Sequence, residues 1–184
     1  MAVTLWTAMS WIVLVYRLPA QPSRHRVGVW RELRRIGALP IQQSIYILPE
    51  GKENLEALAR VASIVEGVGG ESYLLKAAPL DQGTASRLEA SQVQAVEEEY
   101  QEFLSECSKF RQEIRKEIRI KKFTPAELAE EEHSFERLER WAAELAGGDV
   151  FGAPSRSLAE QALKECAAAL EGFAARVLAA EERS

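Results

Sequence analysis

Residues 84–122 contain neither glycine nor proline. Across them Leu88, Val93, Val96, Tyr100, Phe103, Cys107, Phe110, Ile114 and Ile118 recur at steps of mostly three or four. That spacing is one stripe of an α-helix, on the order of 50 Å long at ~1.5 Å per residue. Glu97, Glu98, Glu99 and Glu102 make its first half acidic, whereas Lys109, Arg111, Arg115, Lys116, Arg119, Lys121 and Lys122 make its second half basic. The order suits the helix macrodipole, so the charges already have a structural explanation. A helix of this length cannot bury its apolar stripe alone, and the chain must supply helical partners.

The sequence supplies two. Thr124-Pro125-Ala126-Glu127 is a capping box with proline at the first helical position. It opens a helix carrying Leu128, Phe135, Leu138, Trp141, Ala142 and Leu145, which ends at Gly147-Gly148. Ser157-Leu158-Ala159-Glu160 reads as a second capping box, before a last helix through Leu163, Cys166, Leu170, Phe173 and Val177. Three amphipathic helices with short loops predict a small antiparallel bundle.

The N-terminal part has another character. Trp11 to Tyr16 is a β-branched and aromatic run with the length of a buried strand. After Leu18-Pro19 and a polar loop, Val27, Trp30, Leu33 and Ile36 predict the core face of a helix that stops at Gly37. Ile41 to Leu48 is a second extended run, with a kink available at Pro40 or Gln42-Gln43-Ser44. Leu55, Leu58, Val61, Val65 and Val68 predict a second helix ended by Gly69-Gly70, and residues 71–77 another strand. If the middle run divides, the plan is the split βαββαβ of ferredoxin-like domains. A simple parallel α/β unit also fits the spacing. The expected architecture is α+β: a ferredoxin-like domain over residues 9–82, followed by a helical region of three helices over 84–184.

Charge is divided unevenly. Residues 1–50 hold six Lys/Arg against two acids, and the other 134 hold 17 against 26, for a net charge of −5. The six are Arg17, Arg24, Arg26, Arg31, Arg34 and Arg35, with no lysine. Guanidinium forks suit bidentate binding of phosphate or a tetrahedral oxyanion. The first reading of the cluster is a solvated face attracted to the acidic remainder; the second is a binding site for an anion or nucleic acid. Trp30 and Tyr46 are assigned to the core and not to base stacking.

Seats for catalysis are not visible. His25 and His133 have no Ser, Cys or second His at catalytic or metal-binding spacing. Glu127, Glu130, Glu131 and Glu132 read as an exposed helix face with Arg137 and Arg140 nearby. There is no P-loop, dinucleotide fingerprint or nucleophile elbow. A non-enzymatic protein without a cofactor or metal is expected. Cys107 and Cys166 lack the neighbours of a zinc site and read as two reduced, buried thiols of a cytosolic protein. The apolar first 16 residues lack a basic leader and a cleavage signal, and Tyr16-Arg17 interrupts them short of a membrane span. A cytoplasmic protein is expected, with Met1 or Met9 as its start.

Trp11 to Pro19, Arg26 to Ala38 and Ser44 to Pro49 resemble the N-terminal domain of the bacterial chromate resistance protein ChrB. The similarity continues from Glu56 to Leu75 with the Gly69-Gly70-Glu71 turn and covers roughly residues 9–80. The resemblance implies a cytoplasmic, chromate-responsive transcription regulator. ChrB proteins usually carry a further C-terminal domain, so a stand-alone homologue with a separately encoded partner is expected. More remotely, the pattern is similar to the ferredoxin-like domain of the phenylacetate-pathway repressor and to a small CRISPR adaptation protein described as a metal-dependent nuclease. Such a nuclease needs a carboxylate at the end of the first strand to hold Mg²⁺. Tyr16-Arg17 stands there, and an arginine repels the cation. The expected partners are therefore DNA, chromate or another oxyanion, a ChrB C-terminal-type domain, or a second copy in a homodimer, with no membrane. A dimerisation or partner-binding module without DNA contact is the alternative.

Overall fold

The computed structural model describes residues 9–182. The apolar leader, and with it the choice between Met1 and Met9, lies largely outside them. The elements are β1 (Trp11–Arg17), α1 (Ser23–Arg35), β2 (Leu39–Gln42), β3 (Ile45–Pro49), α2 (Lys52–Gly67), β4 (Glu71–Ala77), α3 (Gln82–Ile120), α4 (Pro125–Gly148) and α5 (Arg156–Glu181). The chain divides into two compact units at Ala95–Val96, inside α3.

In the first unit the extended run does divide, because Ser44 takes a left-handed φ of 65° between β2 and β3. The strands form one four-stranded sheet in the order β2-β3-β1-β4. Every pairing is antiparallel, with Leu14 opposite Tyr46 on one side and Leu74 on the other. A parallel α/β unit is therefore excluded. Alternation along β1 sends Ile12 and Leu14 to one face, where they pack with Val29 and Leu33 of α1 and Leu58, Val61 and Val65 of α2. Gly37 closes α1 with φ 66°; its N–H donates to the Arg34 carbonyl and that of Ala38 to the Leu33 carbonyl. The first turns of α3 belong here: Ala85 is buried, and buried Gln92 donates to the Gly37 carbonyl at 3.3 Å.

Two expected core faces are corrected. On α1 the buried residues are Val29 and Leu33, whereas Val27 and Trp30 are exposed. On α2 Leu55 is exposed, and Ala57 and Ala62 join Leu58, Val61 and Val65 inside. Steps of three drift off a helix face within two turns, and small alanines fill the inner positions that a search for large residues passes over.

The second unit packs the rest of α3 with α4 and α5 around Phe103, Cys107, Ile114, Leu138, Cys166 and Phe173. Thr124 caps α4 as expected, accepting from the Glu127 N–H at 3.3 Å. The second box is corrected: α5 begins at Arg156 after Ser155, and Ser157 lies inside the helix. Ser155 serves α3 instead, donating its N–H to Glu97 at 2.9 Å and its hydroxyl to the same carboxylate. Asp149 pins the loop by accepting from the Gly152 and Ala153 N–H groups at 2.9 and 2.8 Å. Glu131 departs from the solvated face assigned to it. It is buried, and burial followed by the nearby Glu113, Glu130, Glu117 and Glu127 pushes its carboxyl up to about 7. Among the described residues, no helix is long and apolar enough to cross a membrane.

Candidate anion and nucleic-acid interface

Helix α1 turns Val29 and Leu33 inward. The geometry of a 3.6-residue repeat then places Arg24, Val27, Trp30, Arg31 and Arg34 together on its outward side, linked by steps of three and four. The helix carries no acid in its first turn and has Arg34 and Arg35 in its last, where cations suit the carbonyl end of the dipole.

The six arginines are not equivalent. Arg17 ends β1 directly opposite Glu71 of β4 and donates to its carboxylate at 2.7 Å. Arg35 is held by Glu32 through Nε at 3.0 Å and Nη2 at 2.8 Å. Both charges are already compensated. The guanidinium of Arg34 lies 5.4 Å from the centre of the Trp30 ring, a cation–π contact. Arg24, Arg26 and Arg31 are exposed and have no carboxylate within 4.0 Å among the described residues. The structure thus brings Arg24, Arg31 and Arg34 together, leaves Arg26 near the start of the helix on the side that carries Val29 and Leu33, and sets Arg17 apart on the sheet.

Trp30 is the residue that sequence reasoning misplaced. It is 46% exposed, with the Arg34 guanidinium over its ring. A sharper signal was present: Val29, Leu33 and Ile36 form a tighter 3.6-residue stripe than Val27, Trp30 and Leu33. An exposed indole beside arginines offers a flat stacking surface and several anion donors in one patch. Tyr46, in contrast, packs against the core and stacks on Tyr16 with ring centres 6.2 Å apart. The Tyr16 hydroxyl pKa is raised, first by burial and then by Tyr46.

Nothing comparable appears for metal chemistry. Among the described residues, no group of three or more His, Cys, Asp or Glu is placed to hold a metal ion. His133 is exposed, with Nδ1 3.9 Å from Glu136. His25 is half-buried, and among the described residues its Nδ1 has no hydrogen-bond partner.

The family model described as Protein ChrB, N-terminal, matches residues 26–184. No curated protein and no solved structure matches the chain.

Proposed function

The chain belongs to the family of ChrB N-terminal domains, and from that premise we propose that it is a regulatory protein of chromate resistance that contacts DNA or an oxyanion through α1. Family membership supports the association with chromate resistance. The observation that carries the contact is the exposed Trp30 among Arg24, Arg31 and Arg34, with Arg24 and Arg31 free of any carboxylate partner among the described residues. The six arginines named from sequence divide accordingly: Arg24, Arg31 and Arg34 make the contact, Arg26 lies apart from them on the helix, and Arg17 and Arg35 are paired with Glu71 and Glu32. The strand order β2-β3-β1-β4 supports reading the sheet unit as ferredoxin-like. The protein acts in the cytoplasm without catalysis, and a ChrB C-terminal-type domain is its partner.

Fluorescence anisotropy on the protein's own upstream DNA tests this, with salt titrated and chromate present or absent. Binding is expected to weaken steeply with salt, by about 0.9 logarithmic units per phosphate contact per tenfold change in salt. Chromate is expected to release it. Replacing Arg24, Arg31 and Arg34 by alanine together should flatten the salt slope by roughly 2 to 3 units. Binding left unchanged by that variant would overturn the assignment to α1.

A second reading has its own observation. Strand β4 is an edge of the sheet and exposes Tyr73, Leu74 and Leu75 in succession. An exposed apolar edge strand is a template for pairing with another chain. A module that binds a partner or a second copy, without touching DNA, would use it. Sedimentation at several concentrations separates the two, since a strict monomer counts against self-association through β4.

A further inference from the structure

Cys107 and Cys166 are the chain's two cysteines and lie 59 positions apart in sequence. The fold of the helical unit brings them face to face, Cys107 from α3 and Cys166 from α5, both fully buried and both free thiols. The Cys166 Sγ donates to the Cys107 carbonyl oxygen at 3.5 Å, and the two thiols lie within hydrogen-bonding reach of each other.

Buried thiols in an apolar core are ordinarily inert. These have two further features. Arg111 follows Cys107 by one helical turn, and its Nη1 donates to Glu165, the residue before Cys166. Among the described residues its buried Nε–H has no hydrogen-bond partner. The thiols also act on each other. The hydrogen bond from Cys107 and the Arg111 charge favour a thiolate on Cys166 against the opposing effect of burial, so its pKa is lowered. The Cys107 thiol is raised, first by its hydrogen bond with Cys166 and then by burial. The direction of these shifts favours Cys166 as the first of the pair to lose its proton. A groove of about 410 Å³ is lined by Arg111 and Glu165, the helix neighbours of the pair, while the two cysteines themselves are fully buried and do not line it.

We propose that Cys107 and Cys166 are a reversible dithiol–disulfide site that joins α3 to α5 when the chain meets a two-electron oxidant of the peroxide class. The Cys166 thiolate attacks one peroxide oxygen, the O–O bond breaks, and hydroxide leaves to become water with the thiol's proton. The resulting sulfenic acid is attacked by Cys107, which loses its proton as the S–O bond breaks and a second hydroxide leaves as water. The net change is two thiols and one hydrogen peroxide to one disulfide and two waters. The cross-link closes a long loop in the unfolded chain, so the oxidised protein resists unfolding better than the reduced one. The inference is independent of what α1 binds.

The test treats the folded, full-length protein with hydrogen peroxide, then unfolds it in an alkylating reagent and measures the intact mass. The expected product has lost two hydrogen atoms, takes up no alkyl group, runs as a monomer without reductant, melts higher and reverts fully with dithiothreitol. Two alkylated thiols after exposure that oxidises a small dithiol in the same tube would overturn the proposal. So would oxygen adducts or covalent dimers in place of the disulfide. Single variants test the roles through a readout other than stability. Cys107→Ser is expected to accumulate oxygen on Cys166, and Cys166→Ser to leave Cys107 alkylatable; the reverse pattern would overturn the assigned order of attack.

Discussion

Trp30 and Leu33 lie on one helix, three residues apart, yet they carry opposite obligations. Leu33 has no exposed surface, and its replacement by alanine opens a cavity in the sheet unit, costing ~2–5 kcal/mol. Trp30 is half exposed and gives up its contact with Arg34, so Trp30→Ala should cost about 1 kcal/mol or less. Urea unfolding of the two variants checks the contrast, and under the proposed function Trp30→Ala should also weaken DNA binding. Glu131 supplies a pH dependence. Its folded carboxyl titrates near 7 against 4.5 for the free side chain, because burial and then the carboxylates of Glu113, Glu130, Glu117 and Glu127 disfavour its charge. Between those values the folded state holds a proton that the unfolded state has lost. The linked stability is therefore fully present below 4.5 and is lost as pH rises through about 7. A shift of that size is worth roughly 3 kcal/mol at most. Glu131→Gln removes the dependence, so the variant should gain stability on the parent between pH 5 and pH 8.5 in parallel urea titrations. An equal difference at both ends would show that Glu131 titrates normally.

Elements were legible where their signals are local. The Thr124 box, the Gly37 stop and the unbroken helix after Gly83 depend on a few adjacent residues, and each stands as its chemistry requires. The start of α5 was not legible, because Ser155 is claimed by Glu97 and Gln101 from α3, a tertiary contact no neighbouring residue announces. The same holds for Glu131, whose burial against α3 a run of glutamates cannot display. The arginine patch was legible as composition and not as geometry, since only the packed face of α1 shows which side Trp30 takes. The turn between α2 and β4 makes a demand at this scale. Gly69 takes φ 79°, and a Cβ on Gly70 would sit 2.6 Å from the Arg17 carbonyl oxygen and 2.8 Å from that of Val65. Both obstacles are backbone and cannot rotate away. Gly70→Ala should thus cost ~1–3 kcal/mol and displace β4 from the end of β1. A drop in thermal midpoint checks it, with Gly28→Ala as the control in open space on α1.

Across the whole molecule, charge and core follow the same division. Residues 1–95 carry ten Lys/Arg against eight acids, and residues 96–184 carry 13 against 20. The net charge of −5 therefore describes neither unit, and the proposed DNA contact through α1 would depend on a local positive patch within an anionic chain. The cores are equally distinct: Leu58 belongs to one cluster of buried residues and Phe173 to another, with no residue in common. Leu58→Ala and Phe173→Ala each remove a side chain with no exposed surface, so each should cost ~2–5 kcal/mol. Residues without shared partners have additive effects, within about 0.5 kcal/mol, when unfolding is a single cooperative transition. Helix α3 passes unbroken from one unit to the other and offers a covalent and hydrogen-bonded route for cooperativity. The double variant discriminates. If α3 makes the chain one cooperative body, its single urea transition shifts by the sum of the two costs. If the units melt separately, two transitions appear, and each single variant moves only its own.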